Sequence, residues 1–291
     1  MPTLVVHGGA GRLDRRAQRA EIDAALERAL DAGFAAARER SRDAGFDAAG
    51  GGALDAAVAA VRVLEDDPLF NAGMGAVLTA TGGVELDAAV MVAAGLRTGG
   101  VAVVTDFAHP VELARAVMED GRHVLLSGAG ASRFGIERGL ATTDPARLVG
   151  AARGHEGSLG GTVGAVCRDD WGGLAVAVST GGVAGKLPGR VGDSALCGAG
   201  FYADLAGAAC ATGHGEDFVR LVGCRRAVEL LAGGRDAQTA ADRLIEELAA
   251  RVDGLGGIIV VDAAGHPGVA HNSPHMSWAW RTAGGSARWS D

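Results

Sequence analysis

Two strand-forming runs in the second half of the chain constrain its fold most. Thr162-Val-Gly-Ala-Val-Cys167 and Gly173-Leu-Ala-Val-Ala-Val-Ser179 are short, apolar and continuous. Asp169-Asp170-Trp171-Gly172 supplies the turn between them. Directly upstream, residues 140–160 alternate Thr, Asp, Pro, Arg, Gly, His and Glu with no sustained apolar period. A stretch this long without a pattern predicts a mobile, exposed linker. The junction between linker and strands reads Gly160-Gly161-Thr162-Val163-Gly164.

The rest of the chain supplies helices and further strands. Residues 3–6 predict a buried strand ending at His7-Gly8-Gly9-Ala10-Gly11. Ile22, Ala25, Leu26, Ala29, Leu30 and Phe34 recur at helical spacing. After the breaker Gly50-Gly51-Gly52, residues 54–64 predict a second apolar-faced helix, with Asp55 in its first turn and Pro68 beyond its end. Residues 76–79 and 84–87 read as a hairpin about Thr81-Gly82-Gly83. Strands are expected at 101–105, 207–211, 257–262, 269–272 and 277–281, and helices at 111–118, 132–138, 216–231 and 236–251. Helix pairs thus separate blocks of antiparallel-type strands. That order favours an α+β sheet sandwich covered by helices over a doubly wound parallel sheet.

Composition excludes several classes. The 291 residues carry a net charge of −8, and no Lys/Arg cluster forms a phosphate-tracking surface, so nucleic acid is not an expected partner. No apolar stretch reaches the ~20 residues of a spanning helix, so no membrane is expected. The first residues lack a charged segment followed by a long apolar one, and a cytoplasmic enzyme is the expectation. Cys167, Cys197, Cys210 and Cys224 show no metal-binding spacing and read as small buried thiols in a reducing compartment. His7-Gly8-Gly9 could cradle an anion, but no dinucleotide or phosphate-loop spacing follows it. His271 and His275 are close, yet Pro274 argues against a helical metal pair.

The chemistry centres on Thr162. A threonine hydroxyl inside a chain has no nearby base. Cutting the preceding peptide bond frees an α-amine, whose pKa of about 7.7–8 lets it serve as that base. Gly161 before it permits the close backbone approach that such a cut requires. Arg190 and Asp193 in Gly189-Arg-Val-Gly-Asp193 could take the α-carboxylate and α-ammonium of a free amino acid. Thr180 would orient the nucleophile, and the Thr212 hydroxyl with the Gly213 amide would form an oxyanion site.

These residues are similar to a known family. His7-Gly-Gly-Ala-Gly11, Pro68-Leu-Phe-Asn-Ala-Gly73, Glu85-Leu-Asp-Ala88, Gly161-Thr-Val-Gly-Ala-Val166, Ser179-Thr-Gly-Gly182, Lys186-Leu-Pro-Gly-Arg-Val-Gly-Asp-Ser194, Ala211-Thr-Gly-His-Gly-Glu216 and Gly256-Gly257 span nearly the whole chain. Together they resemble the plant-type L-asparaginase/isoaspartyl peptidase branch of the N-terminal-nucleophile hydrolases. The resemblance implies a single αββα four-layer sandwich over residues 1–291, made as a precursor. It implies self-cleavage between Gly161 and Thr162 into an α subunit (1–161) and a β subunit (162–291), two such pairs forming a dimer. The implied roles are Thr162 as nucleophile, Thr180 as its neighbour, Thr212 and Gly213 as oxyanion site, and Arg190 and Asp193 as substrate clamp. No organic cofactor is implied. A structural sodium ion is, held by the backbone carbonyls of Leu64, Glu65, Asp67, Phe70, Ala72 and Met74. The implied substrates are L-asparagine and β-aspartyl dipeptides, with aspartate as product. An aspartylglucosaminidase-like amidase and an unprocessed, inactive binding protein are the alternatives. The linker before Thr162 is short for the family, and two segments also depart from its pattern, Val183-Ala184-Gly185 and Asn272-Ser-Pro-His275-Met, which are expected on the leaving-group side.

Overall fold

The computed structural model describes residues 2–11, 18–43, 51–154, 161–282 and 284–288. In chain order its elements are β1 (Thr3–Gly11), α1 (Arg19–Asp43), α2 (Gly51–Asp66), β2 (Leu86–Val92), β3 (Arg97–Val104), α3 (Pro110–Asp120), β4 (Leu125–Ser127), α4 (Gly128–Glu137) and α5 (Pro145–Gly154). They continue with β5 (Val163–Arg168), β6 (Leu174–Thr180), β7 (Phe201–Asp204), β8 (Gly207–Gly213), α6 (Gly215–Leu221), α7 (Gly223–Ala232), α8 (Ala237–Val252), β9 (Gly256–Asp262), β10 (Pro267–His271), β11 (His275–Thr282) and β12 (Gly285–Arg288).

Strand alternation sorts these elements into layers. In β5, Val163, Ala165 and Cys167 join a core with α1, α2 and α3, while Val166 joins a second core. In β2, Ala88, Val90 and Val92 go to the first core, Ala89 and Met91 to the second. Period-2 geometry gives each central strand two buried faces. One sheet has eight strands in the order β12-β11-β1-β5-β6-β2-β3-β4, the other four in the order β10-β9-β8-β7. Helices α1, α2 and α3 cover the large sheet; α7 and α8 cover the small one. The two sheets meet face to face through β1, β5 and β6 against β8 and β9. This is the α+β, αββα arrangement the sequence implies.

The sheets approach closely at Gly164. A methyl group built there would fall 2.3 Å from Cys210 Sγ on β8 and 2.5 Å from His7 Nε2 on β1, so only glycine fits.

Several expectations need correction. Residues 145–154 form α5, although the linker was expected to lack structure; Asp144 Oδ1 accepts the Ala146 N–H, and Pro145 starts the helix. Leu148 of α5 is buried with Ala76, Val84 and Leu86. Of the rest of that linker, residues 140–144 carry no helix or strand, as expected, and residues 155–160 lie outside the described residues. The hairpin expected over 76–87 is a loop, because part of its backbone pairs elsewhere, Ala80 N–H with Lys186 O at 2.8 Å, and side chains take other donors. Asn71 Oδ1 accepts from Val77 N and Thr79 Oγ1 from Gly83 N, and strand pairing begins only at Leu86. The helix expected over 216–231 breaks at Val222, which adopts the left-handed φ of 53°. Asp55 lies beyond the first turn of α2 and pairs with Arg115 at 2.7 Å. Cys197 is exposed, whereas Cys167, Cys210 and Cys224 are buried. His7-Gly8-Gly9 belongs to β1 rather than to a loop.

Candidate active site

The site lies where the two sheets converge. Parity places Thr162 one residue before Val163, on the same face as Val166, and Thr180 on the same face as Val176 and Val178. Adjacent strands bring them together. Thr162 Oγ1 donates to Thr180 Oγ1 at 3.1 Å, and Gly182 N donates to the same oxygen at 2.9 Å. Two donors thus fix the Thr180 hydroxyl against Thr162, which is 7% exposed. Ser194 Oγ stands 3.4 Å from Thr162 Oγ1, a looser contact.

The Gly161–Thr162 link is boxed in by β1 and β8. A methyl at Gly161 would fall 2.8 Å from both Ala10 N and Thr212 Oγ1. Gly9 has a φ of +102°, and a methyl there would overlap the Gly161 backbone. Thr212 is buried, and its Oγ1 accepts the Ala10 N–H at 3.2 Å, which leaves its own hydrogen to donate. Beneath Thr162, His7 is fully buried, with Nε2 3.3 Å from Cys210 Sγ. Burial pushes its pKa down to about 3, the Thr162 backbone partly opposing, so the imidazole is neutral.

A cavity of about 520 Å³ opens beside Gly213, lined by Ala10, Gly11, Val183, His214, Asp253 and Ser273 among others. Val183 and Ser273 come from the two segments that depart from the family pattern.

The loop between β6 and β7 carries Arg190 and Asp193. Arg190 pairs with Glu216 rather than with Asp193. Its Nε and one terminal nitrogen donate to the two Glu216 oxygens at 2.9 and 2.7 Å. The Arg190 hydrogen bond holds the Glu216 carboxyl at a pKa of about 2. The other terminal nitrogen lies beside Gly182 and Gly192, away from Glu216. Asp193 is 4% exposed, and its Oδ2 has no hydrogen-bond partner among the described residues. Burial pushes Asp193 up to about 7, opposed by Arg190. A buried carboxylate with one idle oxygen is suited to receive a cationic group.

The residues expected to hold sodium form one locus. Leu64 and Glu65 lie in the last turn of α2, where carbonyls lack helical partners and the dipole favours a cation. The following loop folds back so that carbonyl oxygens converge. A methyl at Gly73 would overlap Glu65 O and Ala108 O, and one at Gly75 would overlap Phe70 O and Pro68 O. Asp67 O, Phe70 O and Ala72 O each accept one backbone N–H. Met74 completes the loop. Among the described residues no cluster of His, Cys, Asp or Glu could hold a metal, and these hard oxygens suit a hard cation.

Motif reading missed Ser194, Asn71, Asp87, Lys186 and Glu216. Asn71 clamps the Gly181-Gly182 turn, donating to Gly182 O at 2.6 Å. All five lay inside the quoted motifs, as polar residues in otherwise apolar or glycine-rich strings.

Fold and site together define an amidohydrolase of the N-terminal-nucleophile type. The chain belongs to the asparaginase family, which its residues 1–156 and 152–289 match. It is 41% identical to the isoaspartyl peptidase of Salmonella typhimurium, over 97% of this chain and 95% of that protein. It is 38% identical to the isoaspartyl peptidase/L-asparaginase of Bos taurus, over 96% and 92%. It is 39% identical to the isoaspartyl peptidase of Escherichia coli, over 97% and 93%.

Proposed function

We propose that this chain cuts itself between Gly161 and Thr162 and then hydrolyses the side-chain amide of L-asparagine and of β-aspartyl dipeptides. The observation that carries this reading is the Thr162–Thr180 hydroxyl pair at 3.1 Å, set one residue after a glycine that packs against Thr212 and β1. In the first reaction Thr162 Oγ1 attacks the Gly161 carbonyl, the acyl group moves from nitrogen to oxygen, and water hydrolyses the ester. The freed α-amine then takes the Thr162 hydroxyl proton. The oxygen attacks the substrate's side-chain carbonyl, Thr212 and Gly213 hold the oxyanion, and ammonia or an amine leaves with a proton. Water releases aspartate from the acyl-enzyme.

Arg190 would bind the substrate α-carboxylate through the edge that Glu216 leaves open, and Asp193 its α-ammonium. Sodium would sit among the carbonyls of Leu64, Glu65, Asp67, Phe70, Ala72 and Met74, bracing the loop that carries Asn71. The mature form is a dimer of two-fragment units. Four free cysteines suit a reducing compartment, and the cytoplasm is the proposed location. Among the described residues no helix is long and apolar enough to cross a membrane.

Thr162→Ala tests the scheme. It is expected to give one full-length mass and no ammonia from asparagine, while the wild type gives two masses summing to the chain plus one water. Two fragments from the variant would refute it.

A further inference from the structure

Asp87 opens β2 directly opposite Thr180 in the sheet and shares its inward face. It is fully buried. Its Oδ1 accepts the Val103 N–H at 2.9 Å, and its Oδ2 faces the Gly192 N–H at 3.4 Å. Val103 has a φ of +57°, which a β-branched residue seldom adopts. It lies where the β2–β3 register shifts, between Leu86 and Ala88. One carboxylate oxygen therefore secures a strained bulge, and the other reaches the residue just before Asp193.

The same strand entrance holds the loop at two more points. Lys186, 4% exposed, donates from Nζ to Glu85 O at 2.8 Å. Glu85 Oε2 accepts the Gly189 N–H at 2.9 Å. Burial pushes the Asp87 carboxyl up, and Lys186, the Val103 and Gly192 N–H groups and Arg190 draw it back only in part. Residues 85–87 thus grip the loop at 186, 189 and 192, on both sides of Arg190.

We propose that Asp87, backed by Lys186, is the positioning residue of the substrate clamp. It fixes the loop bearing Arg190 and Asp193, and so sets affinity for the aspartyl part of the substrate rather than the rate of the chemical step. This rests on the reading of Arg190 and Asp193 as the clamp.

The test titrates L-aspartate calorimetrically into matured wild type, Asp87→Asn, Lys186→Met and Arg190→Lys, with kcat and KM measured on L-asparagine. Asp87→Asn turns one of the two buried acceptor oxygens into a donor facing an N–H, and is expected to raise both Kd and KM about tenfold or more. The kcat should stay within about threefold, and self-cleavage by intact mass should be unchanged. Lys186→Met keeps both Asp87 acceptor oxygens but removes the buried charge beside them and the bond to Glu85 O, and should raise Kd by about threefold or more. Should Asp87→Asn fail to fold, Lys186→Met decides alone, and an unchanged Kd overturns the proposal. A fall in kcat with Kd unchanged overturns it as well. If wild type neither binds aspartate nor hydrolyses asparagine, the functional reading fails and takes this inference with it. If Arg190→Lys weakens binding and the other two variants do not, this inference alone fails.

Discussion

The two halves of the site are built differently. Thr162 and Thr180 stand on neighbouring strands whose ladder fixes their spacing, Val163 lying opposite Ser179. Arg190 and Asp193 stand on a loop with little backbone pairing to the sheets. Around Arg190 its place is set largely by side chains, Asp87, Glu85, Asn71 and Glu216, while its first residues are tied by backbone bonds to the loop at 71–80. A nucleophile needs a fixed sub-ångström geometry, which a hydrogen-bonded ladder provides. A clamp needs charge of the right sign at the right height, which a few buried ions can hold. The strand half should therefore govern kcat, and the loop half KM.

The largest effect is expected at the strand half. Thr180→Val keeps the shape of the side chain but removes its hydroxyl, and should lower kcat by about 10²-fold or more with KM little changed. A rise in KM alone would break the division. Next comes the loop half. Arg190→Lys keeps the charge but loses the planar fork, and should raise KM by about 10- to 100-fold with a smaller loss in kcat. Steady-state kinetics on asparagine reads both.

The smallest effect concerns Asp193 and pH. Its folded pKa, raised to about 7 by burial, lies above its unfolded value near 3.9. The folded state then binds more protons over that interval, so this group's contribution to stability falls as pH rises from about 4 to about 7 and is flat above. Relative to Asp193→Asn, which cannot titrate, wild type should lose stability across that window. Denaturant midpoints at pH 5 and pH 8 measure it. A gap between the two proteins that stays constant would show that Asp193 is already ionised at pH 5.

The same division explains what could be read from the sequence. The strands of the nucleophile half announce themselves through β-branched apolar runs, and Thr162 is marked by the glycine before it. The layer order follows from helix pairs set between strand blocks. The clamp half was legible only as a motif. Nothing local to Leu86-Asp87-Ala88 says that its carboxylate will meet Gly192, 105 residues away. Glu216 likewise reaches Arg190 only because α6 follows β8 across the gap. The missed helix α5 was a misreading of available signals, since Asp144-Pro145 is a sound start and Leu148 its buried residue. The missed loop at 76–85 reflects a competition that composition cannot weigh, side-chain acceptors against a strand ladder.

The strand order of the large sheet has a consequence for the proposed cut between Gly161 and Thr162. Counting across it, β12 and β11 come from after the cut, β1 from before it, β5 and β6 from after, and β2, β3 and β4 from before. The two fragments of that cut would therefore be interwoven, with β1 threaded between β11 and β5. Dilution has no seam along which to part them, and only unravelling the sheet separates the pieces. Halves produced separately would each present raw, unpaired strand edges, prone to stick to one another before they could interleave. Synthesis as one polypeptide, severed only after the weave is complete, avoids that hazard.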